Sequence, residues 1–449
     1  MKKKKLSLTA KIIISMILGI IVGLIINIGG FNQSGSWVNE YLVNGLFLIV
    51  GKMFIASLKM LVVPLVIFSL IGGVIGIGDV KELGKVGGKA FVLYILTTAL
   101  AITVAISLAA SIGIGEGVNL STNAQFSAKA APPVSEVLIN IIPSNFIDAM
   151  AKGNMLQIIF FSILLGISIL MVGRKAKPIV ELIEIGNEIM MKMVTIVMAV
   201  APYAVFALLA KAIANLGLDL LSNLAGYVFV LIAILMIHLF ITLMLILKLF
   251  SKKSPIIFLK KMKDVQLFAF STSSSNATIP ITLKTVVEKL GVHNSVASFT
   301  IPFGATINMD GTAIMQGVAT VFIANIYGVD LGLSGFLTVI LMATLASIGT
   351  AGVPGVGLIM LSMVFTQVGL PIEGIALILG VDRLLDMLRT IVNVSGDGVV
   401  SVIVAKSENK LDDKIYDNLE INLEYDDEIN IDKKVEEELA SVLDETKKG

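Results

Sequence analysis

The sequence predicts an all-α polytopic membrane protein, with eight transmembrane helices and two re-entrant helical hairpins arranged as inverted repeats. Three observations carry that prediction. The chain of 449 residues is 56% hydrophobic and only 15% charged, against roughly 25% charged in an average soluble domain, and its mean hydropathy is +0.93. Runs such as 12–28, 92–112 and 227–247 are apolar over about 17–21 residues, enough to cross ~30 Å of hydrocarbon as helix. Two later apolar runs are broken by Ser/Thr/Asn or Gly/Pro clusters, which leaves arms too short to span.

The elements follow in chain order. Lys2–Lys5 precede an apolar run that continues into LIINIGG with no small-residue cleavage site, so the first span is expected to be retained and residues 1–10 to form a basic cytoplasmic N-terminus. Further basic clusters fall at Lys81, Lys85 and Lys89, at Arg174, Lys175 and Lys177, and from Lys248 to Lys263. The alternate connections, 30–41, 114–142 and 215–221, carry few basic residues. By the positive-inside rule, both termini are cytoplasmic and six spans lie near 11–29, 42–77, 90–113, 143–172, 188–214 and 222–249. Lys52 and Lys59, inside the second span, either snorkel or pair with a neighbour. The loop 114–142, with its polar and Pro-containing stretch, is expected outside the membrane.

Residues 255–405 form the predicted transport core. The interrupted runs 267–287 and 336–365 read as hairpins, the second with arms of about 11–13 residues, or roughly 20 Å at 1.5 Å per residue, so that each tip ends near the membrane midplane. A full span follows each hairpin, at 296–327 and 372–405. Hairpin then span, twice, with opposite entry sides, is an inverted repeat whose site lies where the broken tips converge. Residues 406–449 are read as an acidic, solvated cytoplasmic tail, since 407–449 hold 15 acidic and 6 basic side chains.

Cysteine is absent, which excludes disulfides, thiolate nucleophiles and Cys-based metal sites. Of two histidines, His293 falls in a polar connection and His238 inside a span, where a neutral imidazole bonded to a neighbouring helix is preferred to a proton relay. The last span carries the strongest signal. Asp382, Asp386, Arg389, Asn393 and Asp397 fall at about 0°, 40°, 340°, 20° and 60° around a helix, a stripe about 80° wide. Each charge at the bilayer centre costs on the order of 3 kcal/mol, so such a stripe faces a polar cavity or a ligand. Arg389 suits a carboxylate and Asp386 an ammonium; a permanent Asp386–Arg389 ion pair is the competing reading. In the preceding span, Gly304, Thr306, Asn308 and Asp310 offer only oxygen donors on helix-weakening sequence, as a hard monovalent cation requires. A polar helix–helix contact is the alternative there. The hairpin serines lack a neighbouring His or Lys base in their motif, which argues against a membrane hydrolase, and a closed cluster of opposite charges is unlike a pore.

Four ordered motifs, SSSNATIP (273–280), NMDGT (308–312), SIGTAGVPG (347–355) and DMLRTIVNVSGD (386–397), together with LKMLVVPLVIFSL (58–70), IIPSNF (141–146) and APYAVFAL (201–208), closely resemble the dicarboxylate/amino acid:cation symporter family over residues 10–406. The resemblance implies a homotrimer of elevator type, in which spans 1, 2, 4 and 5 form a fixed scaffold while spans 3 and 6 travel with the core. It also implies Na⁺ as the co-transported ion, an amino acid as the small-molecule substrate, membrane lipid as surroundings, and no nucleic acid partner. Carried over by position, Arg389 and Thr312 would hold a substrate side-chain carboxylate, and Asp386 the amino group. Asn393, Ser274 and the backbone near Val353 would serve the α-carboxylate, with Thr272, Ser273, Pro354, Gly355 and Thr390 completing the set. Sodium would take Gly304, Asn308, Asn393 and Asp397 in one site, Thr306, Ser347, Ile348 and Thr350 in a second, and Tyr94, Thr97, Thr98, Asn308 and Asp310 in a third. Thr272 stands where some relatives carry Arg, and Asn276 where a smaller residue is common. The implied activity is sodium-coupled uptake of glutamate or aspartate; the alternatives on this scaffold are a neutral amino acid or cystine symporter, or H⁺-coupled dicarboxylate uptake.

Overall fold

The structure, a computed structural model, describes residues 8–75, 80–117, 139, 141–348, 350 and 352–418. Lys2–Lys5, most of the loop expected at 114–142, Gly349 and the tail beyond Asn418 lie outside the described residues. Those described are helical almost throughout, with no strand and an isolated antiparallel bridge between Val292 and Leu411.

The first part of the chain contains α1 (Leu8–Ile28), α2 (Val38–Ile75), α3 (Val80–Ile112), α4 (Phe146–Lys152), α5 (Met155–Val172), α6 (Lys177–Ala199), α7 (Ala201–Asn215) and α8 (Ser222–Ser251). Five segments within it are long and apolar enough to cross a membrane: Ala10–Ile28, Val38–Ile75, Lys85–Ile112, Gln157–Ala199 and Ser222–Ser251. Among the described residues these segments agree with the multi-pass membrane protein expected from the sequence. Lys52 and Lys59 are exposed on α2, as snorkelling requires.

The span read at 188–214 is two helices. α6 begins at Lys177 and is amphipathic, burying Ile183, Gly186, Met190, Val194 and Met198 at helical spacing while Glu181, Glu184 and Glu188 stay exposed. Those acids hide the apolar face from a hydropathy reading. The helix ends at Val200, and Pro202 opens α7, where the missing N–H costs nothing. Gly217, at φ 63° and ψ −145°, then turns the chain into α8. This turn is tied to α1, because Asn27 Nδ2 and Asn32 Nδ2 both donate to the Ala214 carbonyl, at 2.9 and 3.0 Å.

The second part is α9 (Pro255–Thr272), α10 (Ser275–Lys284), α11 (Asn294–Ile307), α12 (Asp310–Ile326), α13 (Gly332–Ser347), α14 (Val356–Gln367), α15 (Ile375–Ser407) and the short α16 (Asp413–Asp417). The first arm of the earlier hairpin is longer than its apolar run, since α9 reaches back to Pro255 and covers about 27 Å. Every residue of α12 except Asn325 is buried, so this helix is shielded from solvent and lipid alike and forms the axis of the core. α15 runs unbroken for 33 residues.

Residues 408–418, the described start of the expected solvated tail, are mostly exposed but make contacts with the core. They fold back as a clasp over the ends of α9, α10 and α11. Tyr416 is fully buried and donates its hydroxyl to the Ser254 carbonyl at 3.0 Å. Lys253 pairs with Asp413 and Asp417, each at 2.8 Å, and Lys261 donates to the Lys289, Ile415 and Tyr416 carbonyls at 2.7–2.8 Å. Lys89 of α3 reaches Glu408 at 2.5 Å. The Lys89 hydrogen bond lowers the Glu408 pKa, and the hydrogen bonds from Lys253 and then Lys406 lower that of Asp413. A carboxylate whose folded pKa is depressed stabilises the fold above its unfolded pKa, and that contribution is lost as pH falls through the folded value. The clasp is therefore expected to hold from neutrality down to about pH 4 and to open below it. Amide hydrogen exchange of 410–417 as a function of pH checks this; protection that is flat into the acid range contradicts it.

Candidate substrate and cation site

Three helix breaks meet beside the middle of α15. α9 ends at Ser273 in the left-handed region, φ 52°, and Ser274 caps α10 by accepting from Ala277 N at 3.2 Å. α11 and α12 are interrupted at Asn308 and Met309, which have non-helical backbone angles. α13 and α14 are separated by the tip that ends at Gly355, φ +87°. The first and third breaks touch: Gly352 O accepts from Ser274 Oγ at 2.7 Å and from Asn276 N at 3.1 Å. The second is tied to α15, since Asn393 Oδ1 accepts from Gly311 N at 2.8 Å and Asn393 O from Asn308 Nδ2 at 3.1 Å. The N-termini of α10, α12 and α14 all open at these breaks, which brings positive helix ends toward one region.

A cavity at this junction is lined by Ser273, Ser275, Met309, Thr312, Thr350, Gly352, Val353, Gly357, Asp386, Thr390 and Asn393. Arg389 is 1% exposed. Its Nη2 lies 2.9 Å from Asp386 Oδ1 and 2.8 Å from Asp382 Oδ1, while Nε and Nη1 are buried with no hydrogen-bond partner. Ser273 Oγ is also buried and unpartnered. Nη1 points toward Gly357, where an added Cβ would come within 3.2 Å of it. Leaving the N–H groups of Nε and Nη1 unmet on a buried guanidinium costs several kcal/mol, and a ligand carboxylate reaching Nη1 on the Gly357 side would satisfy part of that deficit in a charge-assisted hydrogen bond. The Asp386–Arg389 pair that competes with an ammonium site is present here, with Arg383 Nη1 3.4 Å from the other Asp386 oxygen.

The cation candidates sort into one connected cluster and one loose set. Asp310 Oδ1 accepts from Thr98 at 2.6 Å and lies 3.4 Å from Thr97 Oγ1, which also donates to the Tyr94 carbonyl. Asp397 Oδ1 accepts from Asn308 Nδ2 at 2.9 Å, which leaves Asn308 Oδ1 buried without a partner. Gly304 joins the two groups: a Cβ there would strike Asp397 Oδ1 and stand 2.7 Å from the Tyr94 hydroxyl, so only glycine fits. Tyr94, Thr97, Thr98, Gly304, Asn308, Asp310, Asn393 and Asp397 are thus buried together in one connected cluster. In the second expected set, the hydroxyls of Thr306, Ser347 and Thr350 each donate to a carbonyl of the helix turn before them, at 2.9, 2.8 and 2.6 Å, and Thr350 N donates to the Ser347 carbonyl at 3.4 Å. Ile348 is buried at the end of α13.

Arg389, Thr272, Pro354, Gly355 and Ser274 do not line the cavity; Arg389 lies next to Gly357 and Asp386, which do. Thr272 Oγ1 closes its own helix onto Phe268 O at 3.1 Å, Ser274 joins the two tips, and Gly355 faces Met198 of α6, 2.8 Å from an added Cβ. Sequence reasoning missed Ser275, Met309, Gly352 and Gly357 as lining residues. It also missed His238, whose Nε2 is 3.0 Å from Asp310 Oδ2. The bland expectation, a bond to a neighbouring helix, holds, but the partner is a cation-site carboxylate. His293 is exposed and caps α11 by accepting from Ser295 N at 3.2 Å.

Residues 8–407 match the model of the sodium:dicarboxylate symporter family. Among similar proteins, a proton/sodium-glutamate symport protein of Geobacillus stearothermophilus is 36% identical, with 92% of this chain and 97% of that protein aligned. The proton/glutamate-aspartate symporter of Escherichia coli is 35% identical over 92% and 96% of the two chains. The C4-dicarboxylate transport protein of Bacillus subtilis is 34% identical over 91% and 95%.

Proposed function

The chain belongs to the sodium:dicarboxylate symporter family, a family of transporters and not of enzymes, and from that premise we propose that it couples Na⁺ entry to uptake of L-glutamate or L-aspartate by alternating access. The observation that carries the reading is the buried Arg389, whose Nε and Nη1 have no protein partner. A substrate side-chain carboxylate would meet Nη1 next to the cavity-lining Gly357, with Thr312 on the cavity wall nearby. Asn393 and the Val353 backbone serve the α-carboxylate. The ammonium goes to Asp386, which then exchanges an arginine for the substrate. Na⁺ binds the oxygens around Asp310 and Asp397, and a further Na⁺ binds backbone and hydroxyl oxygens near Thr306, Ser347, Ile348 and Thr350. Eight spans with two re-entrant hairpins, a homotrimer, elevator movement of the core and cytoplasmic termini complete the proposal. It is supported by the breaks at Ser273, Asn308 and Gly355, and by an axis helix that is buried on all sides.

One observation favours a second substrate class. Asp386 is already engaged by Arg389 and Arg383, which suits a dicarboxylate lacking an amine. Purified protein in liposomes, offered radiolabelled L-aspartate, L-glutamate, succinate, L-serine and L-cystine under a Na⁺ gradient, separates these readings. The proposal expects accumulation of the two acidic amino acids; accumulation of succinate, serine or cystine in their place overturns it.

The hairpin ending at Gly355 is the proposed outer gate. Ser347, Ile348 and Thr350 offer oxygens to a cation only when its tip is closed, so ion binding selects the closed state and couples reciprocally to substrate. Thr350→Ala should raise the sodium concentration for half-maximal substrate binding several-fold, with little effect at saturating sodium. A label on Val353 should report tip closure in a sodium titration; a tip that ignores both sodium and substrate places the gate elsewhere.

A further inference from the structure

The transport reading above makes no use of His238. This side chain is 1% exposed, and its Nε2 stands 3.0 Å from Asp310 Oδ2, on a helix 72 residues further along the chain. The other Asp310 oxygen takes the Thr98 hydroxyl at 2.6 Å and Thr97 at 3.4 Å. Both oxygens of the carboxylate are thereby held, and its plane is fixed. Nδ1 of the imidazole is buried and has no hydrogen-bond partner. A proton on Nδ1 alone would leave two acceptors facing each other at 3.0 Å, so the tautomer consistent with the contact carries its proton on Nε2 and donates to Asp310. The backbone adds an independent observation. α8 changes to π-helix over five residues, His238–Thr242, starting at this residue. A single π turn inside an α-helix is rare and is frequently found at functional sites.

We propose that His238 is a positioning residue of the cation cluster: it holds Oδ2 of Asp310 so that Oδ1 stays aimed at Thr97, Thr98 and the Tyr94 side, and in this way sets the sodium affinity of that cluster. The proposal rests on the sodium-coupled reading. The physical basis is general, because a donor behind a metal-binding carboxylate fixes its orientation, and loss of such a partner typically weakens metal binding roughly 10–100-fold. A hydrogen bond that merely joined α8 to α12 would contribute to stability and leave ion affinity alone.

The test is a sodium titration of L-aspartate binding to the purified full-length protein, for the native chain, His238→Gln and His238→Phe, with melting temperature recorded for each. Gln presents a donor at nearly the same reach as Nε2, and its sodium midpoint is expected within about threefold of native. Phe fills the space without a donor, and its midpoint is expected to rise roughly 10–100-fold, with aspartate affinity at saturating sodium little changed. Should the Phe variant not fold, His238→Asn, whose donor falls short of Asp310, carries the same expectation. Combined with Thr98→Val, the Phe change should shift the midpoint by less than the product of the single shifts, since both act on one carboxylate; combined with Thr350→Ala it should multiply. An unchanged midpoint with a lowered melting temperature overturns the role, as do equal shifts for Gln and Phe. Native binding that ignores sodium brings down the coupling reading and this proposal together, whereas sodium-dependent native binding with an unaffected Phe variant brings down only the role of His238.

Discussion

Replacing Arg389 with Thr or Cys is expected to abolish binding of acidic substrates and to turn selectivity toward neutral amino acids. The guanidinium is 1% exposed and keeps Nε and Nη1 free of protein partners. Without it, a substrate carboxylate enters a dry site facing Asp382 and Asp386, which lose their cation at the same time. Removing one member of a buried charge pair costs about 3–5 kcal/mol, or upward of 100-fold in affinity. Competition binding with L-aspartate, L-glutamate and L-serine measures the effect. Aspartate affinity within a few-fold of native would remove Arg389 from the substrate site.

The second large effect is expected at Asp310. Asp310→Asn removes the formal charge from the Tyr94, Thr97 and Thr98 cluster, leaving a monovalent cation with neutral oxygens alone. It also sets an amide N–H₂ against donors, because Thr98 approaches one oxygen and His238 the other. About 3 kcal/mol or more of cation binding should be lost, which moves the sodium midpoint for aspartate binding by over 100-fold. Asp310→Glu keeps the charge but overfills a fully buried position, so it is expected to recover only part of the affinity. A sodium midpoint unchanged in the Asn variant would show that the cluster is a structural polar contact.

The parts of this account legible in the sequence are those written in local spacing. The stripe from Asp382 to Asp397 follows from 100° per residue, and α15 keeps it continuous and buried. The helix breaks announce themselves as Ser, Gly and Pro clusters, and the structure brings the three together. What stayed hidden depends on contacts far apart in sequence. Nothing near His238 points to Asp310. The acidic segment after Ser407 is mostly exposed, yet Lys253, Lys261 and Lys89 reach it from other elements and Tyr416 is buried, contacts that its composition does not disclose. The first turns of α9 are Lys-rich, which masks in the sequence a helix that buries Phe258, Met262 and Val265. In the second cation set, the structure turns the hydroxyls of Thr306, Ser347 and Thr350 onto their own helices, an orientation that residue type does not disclose.

The central claim is that sodium, not the proton, drives transport through the oxygen clusters at Asp310 and Asp397. It is tested most directly by radiolabelled L-aspartate accumulation in proteoliposomes at equal internal and external pH, with an inward Na⁺ gradient, compared with sodium-free vesicles under an inward proton gradient. The account predicts aspartate concentrated well above its external level by the sodium gradient alone, and none in the sodium-free vesicles. Full accumulation driven by the proton gradient without sodium would contradict it.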